Sequence, residues 1–265
     1  MTEIDHARYL YLIANTEEEQ SLGDIGLGDR PVYTIVFQDI AAVVHASKSE
    51  PVPAKSEEQA EQWILNHNYV IDKATENFNT VLPFSFGCLA RGDDEAIKRW
   101  LQKNYSLYKR ELERLKNSAE YSIQIFYDPG VLEKQVLKTI PELEEIDQKM
   151  KAMPKGKAYI FKKKFELGLK QAVSDHLASM GREFDKLIKK NATQTIVEEK
   201  IPYVPEKYAG KKVMVAFSCL VAKDNAERLG QSLETINKRE GFAVRFTGPW
   251  APFNFVDLGN IENDT

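Results

Sequence analysis

The chain has 265 residues, 43% hydrophobic and 29% charged, an ordinary balance for a soluble globular protein and enough chain for one large or two medium domains. A formal net charge of -4 gives nothing that would steer it toward nucleic acid or an anionic membrane. Residues 1–6 carry Glu3 and Asp5 where a signal peptide needs a basic start and an apolar run of roughly 7–15 residues. The longest apolar run, residues 213–221, is interrupted by Ser218 and falls short of the roughly 18–20 residues that cross a bilayer, so a cytoplasmic chain without a membrane span is expected.

Strands come first, at residues 9–14, 32–37 and 40–45, the last two joined by Gln38-Asp39 as a tight hairpin. Between the first and second, Gly23, Gly26 and Gly28 have the spacing of a phosphate loop, but Pro31 leads into a strand and not a helix N-terminus, which rejects that reading. Ser56 with Gln59 forms a capping box for a helix to about residue 79, with Ala60, Trp63, Ile64, Val70, Ile71, Ala74 and Phe78 on one face. His67 shares that face and is expected to be a hydrogen-bonded core residue. A strand at 81–86 contains Pro83 and belongs at an edge or bulge. A second helix starts with Asp93, Asp94 and Glu95 in its first turn and turns Ile97, Leu101, Tyr105 or Tyr108, Leu112 and Leu115 inward. A strand at 121–127 closes this half, and Asp128-Pro129-Gly130 marks its boundary.

The second half opens with a helix over 131–153 that Pro141 kinks or divides. The longest periodic stretch follows, with Phe161, Phe165, Leu169, Val173, Leu177, Met180, Phe184, Leu187 and Ile188 on one stripe and His176 beside it. It either reaches across both domains or pairs with the preceding helix as a hairpin. Strands are expected at 193–199 and 213–221, then a helix capped by Asp224-x-x-Glu227 with Ala226, Leu229, Leu233 and Ile236 inward, then a strand at 242–246. The expected class is α+β in two domains: residues 1–129 as a mixed sheet with helices, and residues 130–265 as a modified ferredoxin-like domain lacking its first strand, with a helical hairpin and an aromatic tail.

That tail, residues 246–256, sets Trp250, Phe253 and Phe255 among Pro249 and Pro252. Disordered tails are poor in aromatics, so this segment is expected to dock, either on this chain as a clamp between domains or on a partner. Catalytic signatures are absent. His6, His45, His67 and His176 have no metal-ligand spacing, and Cys88 and Cys219 lie far apart in apolar segments, where buried thiols are expected. No nucleophile elbow or Walker loop occurs. Lys155, Lys157, Lys162, Lys163 and Lys164 interleave with Tyr159 and Phe161; a solvated helix face is the first reading, an acidic protein partner or single-stranded nucleic acid the others.

Several segments together resemble the gas-vesicle protein F/L family (GvpF/GvpL). They are Tyr9-Leu10-Tyr11-Leu12-Ile13, Val32-Tyr33-Thr34 followed by residues 39–44, the helix around His67, residues 81–87, Gly156-Lys157-Ala158-Tyr159, and Gly248-Pro249-Trp250-x-Pro252-Phe253-x-Phe255-Val256. The chain departs from the family's pattern at Ala251, Phe253 and Cys88, keeping apolar bulk. The resemblance implies a non-catalytic protein with no cofactor or metal, a minor gas-vesicle component or assembly factor located with the vesicle in the cytoplasm. Its implied partners are the small hydrophobic major shell protein (GvpA type) and other minor gas-vesicle proteins, with Trp250, Phe253 and Phe255 forming or bracing the contact. The alternative is a ferredoxin-like small-molecule-binding protein or enzyme, and a nucleic-acid-binding module stands third.

Overall fold

The computed structural model describes residues 6–48, 54–152, 155–200 and 203–258; the side chains at 151 and 155–160, and with them Lys155, Lys157 and Tyr159, lie outside that description. The chain is α+β. Two compact units emerge: Met1–Glu120 together with Pro249–Thr265, and Tyr121–Gly248. The division falls before the expected 129/130, and the tail groups with the first unit and not with the second.

In the first unit, β1 (Ala7–Ala14) is followed by a short β2 (Ser21–Gly23), then β3 (Val32–Phe37) and β4 (Ile40–Ser47). The hairpin turn at Gln38-Asp39 is as expected, with Gln38 in the left-handed region at φ 53° and Phe37 paired with Ile40. α1 (Glu57–Phe78) leads to β5 (Val81–Pro83) and β6 (Leu89–Arg91), and α2 (Asp94–Arg114) follows. The sheet order is β2-β3-β4-β1-β5, with β6 also on β1. Every pairing along this path is antiparallel, which corrects the expected mixed sheet. The α1 crossover does join two strands of like direction, but it sets β5 on the far side of β1, so the two parallel strands are not neighbours.

All eight residues of β1 are buried, as expected of a strand covered on both faces, and α1 and α2 both contact it. α1 starts as expected, with Ser56 Oγ accepting from Gln59 N at 3.2 Å. The reciprocal arm of the box differs: Gln59 Oε1 accepts from Lys55 N, one residue ahead of the cap. Only the C-terminal half of the stripe is buried, at His67, Val70, Ile71, Ala74 and Phe78, whereas Ile64 is 44% exposed. In α2, Tyr108 and not Tyr105 turns inward, joined by Trp100; the Tyr105 hydroxyl donates to Asp39 instead.

β7 (Ser118–Tyr127) opens the second sheet. α3 (Pro129–Thr139) and α4 (Pro141–Ala152) are separated at Ile140, so Pro141 divides the expected helix. α5 (Lys155–Lys189) contacts α3 and α4, the hairpin alternative of the sequence reading. Its close approach is visible at Gly168, where a Cβ would lie 2.9 Å from Leu143 Cδ2. β8 (Gln194–Val197), β9 (Lys212–Ala222), α6 (Ala226–Asn237) and β10 (Phe242–Trp250) complete the chain, with sheet order β10-β7-β9-β8. β7, which the sequence reading had placed in the first domain, is thus a strand of this second sheet.

The core of the second unit collects Phe184 and Ile188 of α5, Leu229, Leu233 and Ile236 of α6, and Phe126 stacked on Tyr208 at 4.2 Å. Toward its N-terminus α5 is not core: Phe161 is 40% and Leu167 62% exposed, against the expected stripe. α6 also departs from expectation, since a 3-10 turn, Lys223–Asn225, precedes it and its N-cap Asn225 makes no side-chain cap bond. No described helix is long and apolar enough to cross a membrane.

Candidate functional site

The tail begins as strand. β10 continues through Pro249 to Trp250, which an edge strand tolerates because the proline's missing N–H need not meet a neighbour. Gly248, at φ 128°, takes a backbone conformation that side chains resist, and the chain then turns in a 3-10 segment, Phe253–Phe255, closed by Phe255 N donating to Pro252 O at 3.0 Å. The three expected site residues do not act together. Phe255 is 6% exposed, whereas Trp250 is 46% and Phe253 39% exposed.

What fastens the tail to the first unit is apolar burial plus two polar grips. Ala251 joins the core cluster that holds Tyr9, Tyr11, Val70, Ile71, Ala74 and Val81. The Asn254 backbone N–H donates to Glu120 Oε2 at 2.9 Å and its side-chain amide to Glu120 Oε1 at 2.6 Å. Arg114 donates from Nη2 to Phe255 O at 2.5 Å and to Glu111 Oε2 at 2.6 Å. Glu111 and Glu120 are buried, 4% and 5% exposed, and Arg114 and Asn254 satisfy them as such burial requires. The sequence reading missed this pair of carboxylates. The available signal was a glutamate at an inward-facing position, Glu111 beside Leu112 on the α2 stripe and Glu120 between Ala119 and Tyr121 in β7.

A second feature of the first unit lies under the middle of α1. His67 Nε2 meets Phe84 O at 3.1 Å; a carbonyl only accepts, so Nε2 carries the proton and Nδ1 accepts from the Tyr9 hydroxyl at 3.0 Å. The Tyr9 oxygen in turn accepts from Gly87 N at 2.9 Å. Burial lowers the His67 pKa to about 4 and raises that of Tyr9 to about 12, so both are neutral at physiological pH and neither is poised for proton transfer there. His67 thus has the structural role expected of it. Tyr11 OH accepts from Leu27 N and faces His45 Nδ1 at 2.9 Å. Beside this network opens a cavity of about 350 Å³, lined among others by Tyr9, His45, Trp63, Phe86, Arg30 and Lys48.

The remaining candidates resolve simply. Lys162 pairs with Glu166 at 3.8 Å, and Lys163 and Lys164 are exposed on α5, in line with the solvated-face reading. Cys219 is buried but Cys88 only half so, because it sits on the loop between β5 and β6. His176 is half-buried on α5. Among the described residues no three His, Cys, Asp or Glu side chains gather where a metal could sit.

The family model described as gas vesicle synthesis protein GvpL/GvpF matches residues 7–257. The chain is 28% identical to gas vesicle protein L1 of Halobacterium salinarum over 97% of this chain and 92% of that protein. It is 29% identical to gas vesicle protein L of Haloferax mediterranei over 88% of this chain and 73% of that one. Among solved structures, GvpF from an Anabaena species is similar with a TM-score of 0.73 at 18% identity, covering 96% of this chain and 100% of that one. GvpF from Microcystis aeruginosa is similar with a TM-score of 0.64 at 18% identity, covering 94% and 98%. The family match runs from the first residue of β1 to just past the 3-10 turn of the tail, and so the chain belongs to the GvpL/GvpF family of gas vesicle synthesis proteins.

Proposed function

We propose that this chain is a non-catalytic gas-vesicle protein, a minor component or assembly factor that binds the small hydrophobic major shell protein during vesicle formation in the cytoplasm. The observation that carries the reading is the family match across residues 7–257. The tail adds a physical rationale. Phe255, Ala251 and the Asn254–Glu120 grip hold the segment in place, and Trp250 and Phe253 are left partly exposed on a fixed backbone. Rigid aromatics presented this way lose little entropy on binding and bury large apolar area, the chemistry by which an aggregation-prone apolar protein can be held. In this reading Phe255 braces the site and Trp250 and Phe253 make the contact. The two units act as two domains, the second a ferredoxin-like βαββαβ layer in which β7 is the first strand, supported by the order β10-β7-β9-β8.

Co-purification of the tagged chain with the major shell protein tests the proposal, with Trp250→Ala and Phe253→Ala variants checked for folding by circular dichroism. Capture by the wild type, lost in folded variants, supports the tail as the contact. A folded wild type that captures nothing at micromolar concentration refutes direct binding.

A further inference from the structure

We infer that two oppositely charged helix faces of this chain, the solvent face of α1 and that of the first half of α5, bind each other between copies, so that the partner of α1 is α5 of a second molecule. The inference stands apart from the proposed function, since it uses neither the tail nor the shell protein.

α1 has an apolar outer side as well as a buried one. His67, Val70, Ile71, Ala74 and Phe78 are its buried residues. On the opposite side of the helix Leu65 is 63% and Tyr69 47% exposed, one turn apart, and Ile64 at the flank is 44% exposed. One exposed leucine is ordinary, but three large apolar side chains within six residues of one helix form a patch. Carboxylates frame it at helical spacing, Glu58 and Glu61 before Leu65, Asp72 and Glu76 after Tyr69. The single cation in the sequence of α1, Lys73, is held by Glu76 at 2.7 Å, and five carboxylates against that one lysine leave the helix at -4.

α5 carries the opposite sign. Residues 161–170 contain Lys162, Lys163, Lys164 and Lys170 against Glu166, and Lys162 is turned to Glu166 at 3.8 Å. Lys163, Lys164 and Lys170 stand four before, three before and three after Leu167, so they surround on one helix face a leucine that is 62% exposed. In the single chain that face is solvated. Against α1 the lysine stems can lie along Leu65 and Tyr69 while their ammonium groups reach the framing carboxylates.

Charge selects this pairing over the two symmetric ones. α1 on α1 sets carboxylate against carboxylate, and α5 on α5 sets lysine against lysine; α1 on α5 removes both repulsions and covers both leucines. Two helix faces bury less than the roughly 1,200 Å² at which stable interfaces begin, so the association is weak, with a dissociation constant on the order of 0.1 mM.

The contact takes a different face from each copy, and this supplies the test. Sedimentation velocity of the full chain is run from about 10 μM to about 1 mM, a range that brackets the expected constant, beside Leu65→Lys and Leu167→Glu. Both substitutions fall on residues more than half exposed, and circular dichroism checks their folding. The wild type is expected to form concentration-dependent oligomers, weakened about tenfold or more between about 0.05 M and about 0.5 M salt. Each variant alone is expected to stay monomeric. Their equimolar mixture is expected to associate, because Leu65→Lys keeps an intact α5 face and Leu167→Glu an intact α1 face. Lys163→Glu combined with Lys164→Glu leaves Leu167 in place and is expected to behave as Leu167→Glu does. A wild type monomeric at the highest concentration, self-association retained in any of the variants, indifference to salt, or a mixture that stays monomeric overturns the inference.

Discussion

Replacing Phe255 with alanine separates the bracing role of this side chain from the exposed role of its neighbours. Phe255 is 94% withdrawn from solvent (100 − 6), while Phe253 and Trp250 keep 39% and 46% of their surface exposed. Truncating a buried phenylalanine costs about 3–5 kcal/mol in a closed core. Phe255 lies near the end of the described chain, where the segment can detach and so limit the loss, which places the expected cost at the lower end, about 3 kcal/mol. Phe253 buries about 60% of its side chain, and full burial is worth about 1.5–3 kcal/mol, so Phe253→Ala is expected to cost about 1–2 kcal/mol and Trp250→Ala a similar amount. Urea unfolding followed by tryptophan fluorescence measures this, because Trp63, Trp100 and Trp250 all belong to the first unit. Equal losses for Phe255→Ala and Phe253→Ala would refute the division of the tail into an inward brace and an outward face.

Acid should weaken the first unit through His67. Its folded pKa of about 4 lies below the ordinary histidine value of 6.5, so the unfolded chain takes up the proton first as pH falls. The contribution is intact above pH 6.5, is lost between 6.5 and 4, and levels off below 4, amounting to about 3 kcal/mol. His67→Gln should be less stable at pH 7 but show a flatter stability profile over that window; a profile parallel to wild type would count against burial as the cause. Glu120→Gln leaves one acceptor oxygen for the two Asn254 donors and should cost about 1–2 kcal/mol, with faster proteolysis at the tail as the readout. Gly92→Ala should cost about 1–3 kcal/mol in the same unfolding assay, because φ is 107° and the new Cβ would lie 2.5 Å from Ala96 Cβ; a neutral substitution would show that this turn relaxes freely.

Local signals in the chain carried far. The Gln38-Asp39 hairpin, the Ser56 cap, the break at Pro141 and the inward face of Leu229, Leu233 and Ile236 all depend on neighbours within a turn or two, which periodicity and capping chemistry report directly. That the tail docks was legible as aromatics and prolines too dense for a disordered end, though its partners Glu120 and Arg114 lie far off in sequence. Failures occur where the partner is distant in sequence. Ile64 and Phe161 have core spacing yet are exposed, because a stripe is buried only where another element arrives to cover it. Tyr108 won over Tyr105 for the same reason: Asp39, in the β3–β4 turn, offers the Tyr105 hydroxyl a partner.

By itself, then, the sequence determined the α+β class, the placing of the main helices and strands, and the likeness to the GvpL/GvpF family. Only the tertiary structure decided that β7 opens the second sheet, that Phe255 faces inward while Trp250 and Phe253 face out, that Glu111 and Glu120 are buried, and that a cavity with a fully hydrogen-bonded floor opens beside Tyr9 and His45. Strand pairing and side-chain burial are set by contacts between residues far apart along the chain, such as Asn254 with Glu120 or Tyr9 with His67, and no local pattern encodes which distant surface a given side chain will meet.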